Sequence, residues 1–143
     1  MKIVSKKEVE KVLVDILSTS DNNIIVHEDD VNILISDKEL LAMSITQSSG
    51  SNSAQKTINS AVLDFQKKDL LLTQADSILV YFQVHSNYDV MSLSDAMEII
   101  YSIFKDVYVL NEADILFGIA CDDSLGSDYV KATMFMGYFK NKI

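Results

Sequence analysis

Two periodicities divide the chain. From Ser5 to Leu17 the apolar residues Val9, Val12, Leu13, Ile16 and Leu17 fall three and four apart, which lines one face of an α-helix. Ser5-Lys6-Lys7-Glu8 has the form of a capping box, and Val4 and Val9 sit at the two positions of a hydrophobic staple around it. Turn-forming residues from Ser18 to Asn23 end the helix. A second helix is predicted over Ala54, Ile58, Ala61, Val62 and Phe65, running to about Lys68. A third follows Ser92, with Leu93, Ala96, Ile100, Ile103 and Phe104 on one face and Asp95 at the third helical position, where the helix dipole favours an anion.

The other segments read as strands. After a short apolar run at Val31–Ile35, Leu41, Met43 and Ile45 alternate within Leu40–Ile45. Ile78–Val84 is apolar and β-branched or aromatic nearly throughout, and Ile115–Cys121 and Tyr129–Phe139 are further strands. Ser48–Ser53 is a polar connector whose small side chains suit a cap for the next helix. The turn formers at Asp122–Asp128 join the last two strands.

The element order predicts an α/β (α+β) fold. It consists of a four-stranded mixed sheet with an antiparallel C-terminal hairpin, helices packed on it, and an N-terminal helix. Strands joined through a helix cross over in parallel, whereas strands joined by a short turn pair antiparallel. Tyr129–Phe139 is apolar on both faces, which predicts a central or doubly covered position. The pattern contains no internal repeat and no domain boundary.

Composition narrows the function classes. With 143 residues, 48% of them hydrophobic, and no proline, the chain has the size and apolar content of one globular domain. Its net charge of −9, from 21 acidic against 12 basic residues, repels the phosphates of nucleic acid and of anionic membranes. No stretch approaches the roughly 20 apolar residues of a membrane helix, and MKIVSKKEVE lacks the apolar core of a signal peptide, so a cytoplasmic protein is expected. Cys121 lies alone in an apolar run and reads as a packing thiol.

Few residues suggest chemistry. His27-Glu28-Asp29-Asp30 is a polar segment that by its residues alone reads as a solvated connection between helix and strand. One histidine beside adjacent carboxylates has no diagnostic metal-ligand spacing, so no metal is expected there. Asp122 and Asp123 read as turn caps rather than a catalytic pair, His85 as a loop residue, and Met134 and Met136 as adaptable core.

Taken together, Asn22 to Tyr138 resembles the C-terminal domain of the bacterial tubulin-like division protein family FtsZ. The segment Ala113-Asp114-Ile115-Leu116-Phe117-Gly118-Ile119-Ala120-Cys121-Asp122-Asp123 is similar to a family stretch of the form A-N-I-I-F-G-x-x-x-D-D. Val130 to Gly137 resembles the long strand after it and keeps its glycine, at Gly137. Leu79-Val80-Tyr81-Phe82 and Ser92 to Ile100 resemble the preceding strand and helix. The resemblance implies that residues 1–22 correspond to the end of the family's central helix and residues 23–143 to its C-terminal domain.

The loop closing that helix supplies acidic groups to a neighbouring subunit's nucleotide in the family. Here it reads Asn23-Ile24-Ile25-Val26-His27-Glu28-Asp29-Asp30-Val31, with His27 at the first acid, where neutral imidazole is a poorer group for positioning a hydrolytic water. The four glycines, Gly50, Gly118, Gly126 and Gly137, are scattered and form no phosphate cradle, so no nucleotide or other cofactor is expected. The expectation is a non-enzymatic module in cell division. It would contact a protein, a full-length FtsZ or a copy of itself, through His27, Glu28, Asp29 and Asp30. The alternative is a small homo-oligomeric protein that binds a ligand or acts catalytically between subunits.

Overall fold

The computed structural model describes residues 1–18, 38, 40–67, 75–111 and 114–138. In chain order the elements are β1 (Lys2–Val4), α1 (Lys6–Ser18), β2 (Leu40–Ser48), α2 (Ser53–Gln66), β3 (Ser77–Val84), α3 (Val90–Asn111), β4 (Asp114–Cys121) and β5 (Val130–Tyr138). The strands form one mixed sheet in the order β1-β2-β5-β3-β4. The predicted Val31–Ile35 run lies outside the described residues.

The capping box forms as its residues dictate. Glu8 N–H donates to Ser5 Oγ at 3.2 Å and Ser5 N–H donates to Glu8 Oε1 at 3.3 Å, so two amides at the start of α1 are satisfied reciprocally. Both staple residues, Val4 and Val9, are buried in one cluster. The box also holds the Glu8 carboxyl below its ordinary range, chiefly through the Ser5 amide.

Alternation along the strands sends side chains to two separate cores. Ile78, Val80, Phe82 and Val84 of β3 and Ala132, Met134 and Met136 of β5 pack under α2 and α3. Leu79 and Tyr81 of β3, Phe135 of β5, and Leu41 and Met43 of β2 pack under α1, against Val9, Leu13 and Ile16. The sheet is thus covered on both faces.

Two details of the sheet differ from the expectation. It has five strands, because Lys2–Val4 adds an edge strand antiparallel to Leu41–Met43. A three-residue strand is too short for the period-two signal to appear in the sequence. The antiparallel C-terminal hairpin does not form: β4 pairs in parallel with β3, and β5 lies antiparallel between β2 and β3. The turn opens by bonding to the strand it crosses, Asp122 N–H donating to Val84 C=O at 2.8 Å. Skipping one strand spans roughly 10 Å, and a connection of this length reaches well beyond that. The gain is that β5, almost entirely buried, has both of its backbone edges paired. The central position expected from its two apolar faces is therefore the one it takes. As expected, β3 and β4, joined through α3, run parallel.

Two helix starts also differ. α3 begins at Val90, not after Ser92, because Asp89 accepts the Met91 N–H at 3.0 Å and the Ser92 Oγ–H at 3.3 Å. Asp95 therefore falls in the second turn. At α2, Asn52 adopts a left-handed conformation with φ of 58° and makes no side-chain cap. The amide of Ala54 instead donates to Tyr88 Oη at 3.2 Å, and Ser53 Oγ is 2.8 Å from the same oxygen. A tyrosine from the β3–α3 corner thus replaces the local cap expected of Ser48–Ser53.

Candidate protein-contact surface

The segment His27-Glu28-Asp29-Asp30 lies outside the described residues. What the structure does show is where α1 delivers the chain. The helix starts over Leu41 and crosses its sheet face toward the far ends of β2 and β3. There Val12, Asp15 and Ile16 of α1 face Ile45, Gln83, Lys131 and Thr133 of the strands across an open groove of about 270 Å³. Its lining mixes apolar side chains with an amide, a hydroxyl, an ammonium and a carboxylate. Ile45 is 50% exposed at its margin and also lines a second depression with Met1, Lys2 and Met43.

The same end of the sheet carries three turns laced together by carboxylates. Asp128, from the turn between β4 and β5, accepts Gly50 N–H at 3.1 Å, and Gly50 has a φ of 84° that favours glycine. Asp123 accepts Ser86 N–H at 2.9 Å, and hydrogen bonds from Ser86 hold its carboxyl below the ordinary range. Asp122 accepts Ser124 N–H at 3.0 Å and Ser124 Oγ–H at 2.6 Å, closing its own turn. Tyr129 Oη bonds Gln47, tying this turn to β2. Asp122 and Asp123 are thus engaged as turn caps, in line with the sequence reading. His85 sits at the corner after β3, half-buried, with Nδ1 accepting Asn87 N–H at 3.0 Å.

Cys121 ends β4 half-buried, and burial together with the charge of Asp123 pushes its thiol pKa up, which keeps it in the protonated form suited to packing. Met134 and Met136 are buried under α2 and α3. No group of three or more histidine, cysteine, aspartate or glutamate side chains among the described residues is arranged to hold a metal ion. Among the same residues, no helix is long and apolar enough to cross a membrane. The groove, the lacing carboxylates and the Tyr88 cap were not read from the sequence. The one available signal was Tyr88 itself, a lone aromatic in the polar turn Ser86-Asn87-Tyr88-Asp89.

No family-wide sequence profile matches the chain. Among characterised proteins, the cell division protein FtsZ of Helicobacter pylori strain 26695 is 28% identical over 134 residues, covering 90% of this chain and 34% of its own length. The chain therefore spans about a third of the length of the curated relative it matches. Among solved structures, an FtsZ dimer from M. jannaschii superposes with a TM-score of 0.69 at 18% identity, over 94% of this chain and 39% of that one. A protofilament of TubZ from Bacillus thuringiensis serovar israelensis gives a TM-score of 0.60 at 13% identity, over 94% of this chain and 35% of that one. The sequence similarity to FtsZ and the mixed sheet with three helices agree, and the fold of this chain is that of the C-terminal domain of FtsZ and tubulin-like proteins.

Proposed function

We propose that the chain is a non-enzymatic cell-division module that docks on an FtsZ-type partner in the cytoplasm through the surface bearing His27, Glu28, Asp29 and Asp30. The observation that carries the reading is the outward face of α1. Lys6, Lys7, Glu10, Lys11 and Asp15 are exposed on it, with Val14 the one exposed apolar residue among them. That is a charged, polar helix surface, suited to contact with water or with a polar protein partner.

The glycines support the absence of nucleotide chemistry. Gly50 serves a turn before α2, Gly118 lies beneath the Tyr81 ring, Gly126 is in the β4–β5 turn and Gly137 is in β5. A phosphate cradle needs several together so that backbone amides can converge. The relatives include proteins described as a dimer and as protofilaments. A polymer built from heterologous contacts grows only through units that offer both faces, so a unit offering one face joins an end and stops it.

The test adds the purified chain at sub-stoichiometric ratios to polymerising FtsZ from its own cell, with light scattering and pelleting as readouts. Polymer mass falls, and replacing residues 27–30 by alanine restores it. Unchanged polymer with the unaltered chain would falsify the proposal.

A further inference from the structure

The β3–α3 corner, residues 85–89, supports two helices at once. Tyr88 Oη caps α2 through Ala54 N–H, and the Asp89 carboxylate caps α3 through Met91 N–H. Two hydrogen bonds close the corner itself: Tyr88 N–H donates to His85 C=O at 2.9 Å, and Asn87 N–H donates to His85 Nδ1 at 3.0 Å. The second bond uses a lone pair on Nδ1, which an imidazole carrying its proton on Nε2 supplies.

The same nitrogen lies 3.7 Å from Asp123 Oδ1, the oxygen that accepts Ser86 N–H. One atom therefore faces two neighbours with opposite demands. The Asn87 amide requires an unprotonated nitrogen, and the carboxylate calls for an N–H. Ionisable groups of the surrounding elements are mostly acidic: Asp122 and Asp123 on the β4–β5 turn, Asp89 on the corner, and the Cys121 thiol ending β4. On β5, Lys131 is the cation nearest in register, opposite Gln83.

We infer that this corner is a proton-operated latch, in which protonation of His85 makes Nδ1 release the Asn87 amide and turn its new N–H to Asp123. The proton comes from solvent, the Asn87 N–H passes to water, and the imidazolium gains a charged acceptor. Closing from 3.7 Å to the length of a charge-assisted bond needs a movement of about 0.8 Å, within reach of a side-chain rotation. Histidine is the side chain whose ordinary titration falls between pH 5 and 8. The switch sits at the corner that caps both helices covering one sheet face.

Nuclear magnetic resonance of the full chain between pH 8 and pH 5 tests it, with His27→Gln assigning the imidazole signals. As His85 becomes imidazolium, the Asn87 amide proton moves upfield and loses its exchange protection. The Asp123 carboxyl carbon shifts in the same step. In Asp123→Asn, which keeps an acceptor for Ser86 N–H but no charge, the imidazolium Nδ1–H signal is lost to solvent exchange. An Asn87 amide that ignores the His85 titration overturns the inference whether or not the variant folds. An Nδ1–H signal unchanged in a folded Asp123→Asn overturns the partner assignment.

Discussion

The two faces of the sheet are built to different standards. Under α2 and α3, the β3 positions Ile78, Val80, Phe82 and Val84 and the β5 positions Val130, Ala132, Met134, Met136 and Tyr138 are all buried, from one end of the strands to the other. Under α1 the face is graded. It is closed where Val4, Val9, Leu41, Leu79 and Phe135 meet, and open where Val12 and Asp15 face Ile45, Gln83 and Lys131. One face is committed to stability along its full length. The other is stabilising at the start of its helix and surface at the end, which is where the chain passes to residues 19–37.

That contrast is testable by truncation, and the largest effect belongs to the two-helix face. Phe82 is fully buried and in edge-to-face contact with Phe117 at a centroid distance of 6.2 Å. Phe82→Ala should cost about 4 kcal/mol of unfolding free energy. Leu13→Ala, beneath α1, should cost nearer 2 to 3 kcal/mol, because Leu13 is the smaller side chain and keeps 6% of its surface exposed where Phe82 keeps none. Denaturant midpoints at fixed slope measure both, and equal losses would break the comparison.

Next in size is the close approach that fixes β4 against β3. A Cβ on Gly118 would sit 2.6 Å from Tyr81 Cζ, on the α1 side of the sheet. Gly118→Ala should therefore cost roughly 1 to 3 kcal/mol through overpacking. The cost should shrink in a Tyr81→Leu background, and a double-mutant cycle without coupling would show that the ring is not the obstacle.

The smallest effect lies at the start of α1. Ser5→Ala removes one half of the capping box and should cost about 1 kcal/mol. The surrounding carboxyls give this end an acid signature. Glu8 is held low by Ser5, and Asp64 is held low by the N-terminal ammonium and Ser44 Oγ, each 2.6 Å from its Oδ2. A carboxyl with a lowered folded pKa binds fewer protons than the unfolded chain just below about pH 4. Stability is therefore fully present above that pH and is lost on acidification through the folded values. Unfolding midpoints at pH 6 and pH 3 should show the loss, and Asp64→Asn should flatten it.

The features legible in the sequence are those whose cause lies within a few residues. Ser5 and Glu8, Val4 and Val9, and the spacing of Ile58, Ala61, Val62 and Phe65 predicted their helices, because caps and periodicity act over a single turn. Turn chemistry at Asp122 was legible for the same reason: its Ser124 partners are two residues away. The start of α3 was missed because Asp89 outcompetes Ser92 as its cap, and the cap of α2 because Tyr88 lies 34 residues from Ala54. Of the candidate contact surface, the groove between α1 and the strands depends on elements distant in sequence, and nothing local announces it.

By itself the sequence determined the helices, the four longer strands and the two-faced apolar character of β5. It also determined the resemblance to FtsZ, which rests on the order of those elements. Tertiary structure alone decided that Lys2–Val4 joins the sheet, that β5 inserts between β2 and β3 rather than folding back on β4, and which aromatic caps α2. The division has a physical cause. Side-chain spacing and turn chemistry are settled by neighbours along the chain, whereas a strand edge is satisfied only by whichever other edge the whole fold brings beside it.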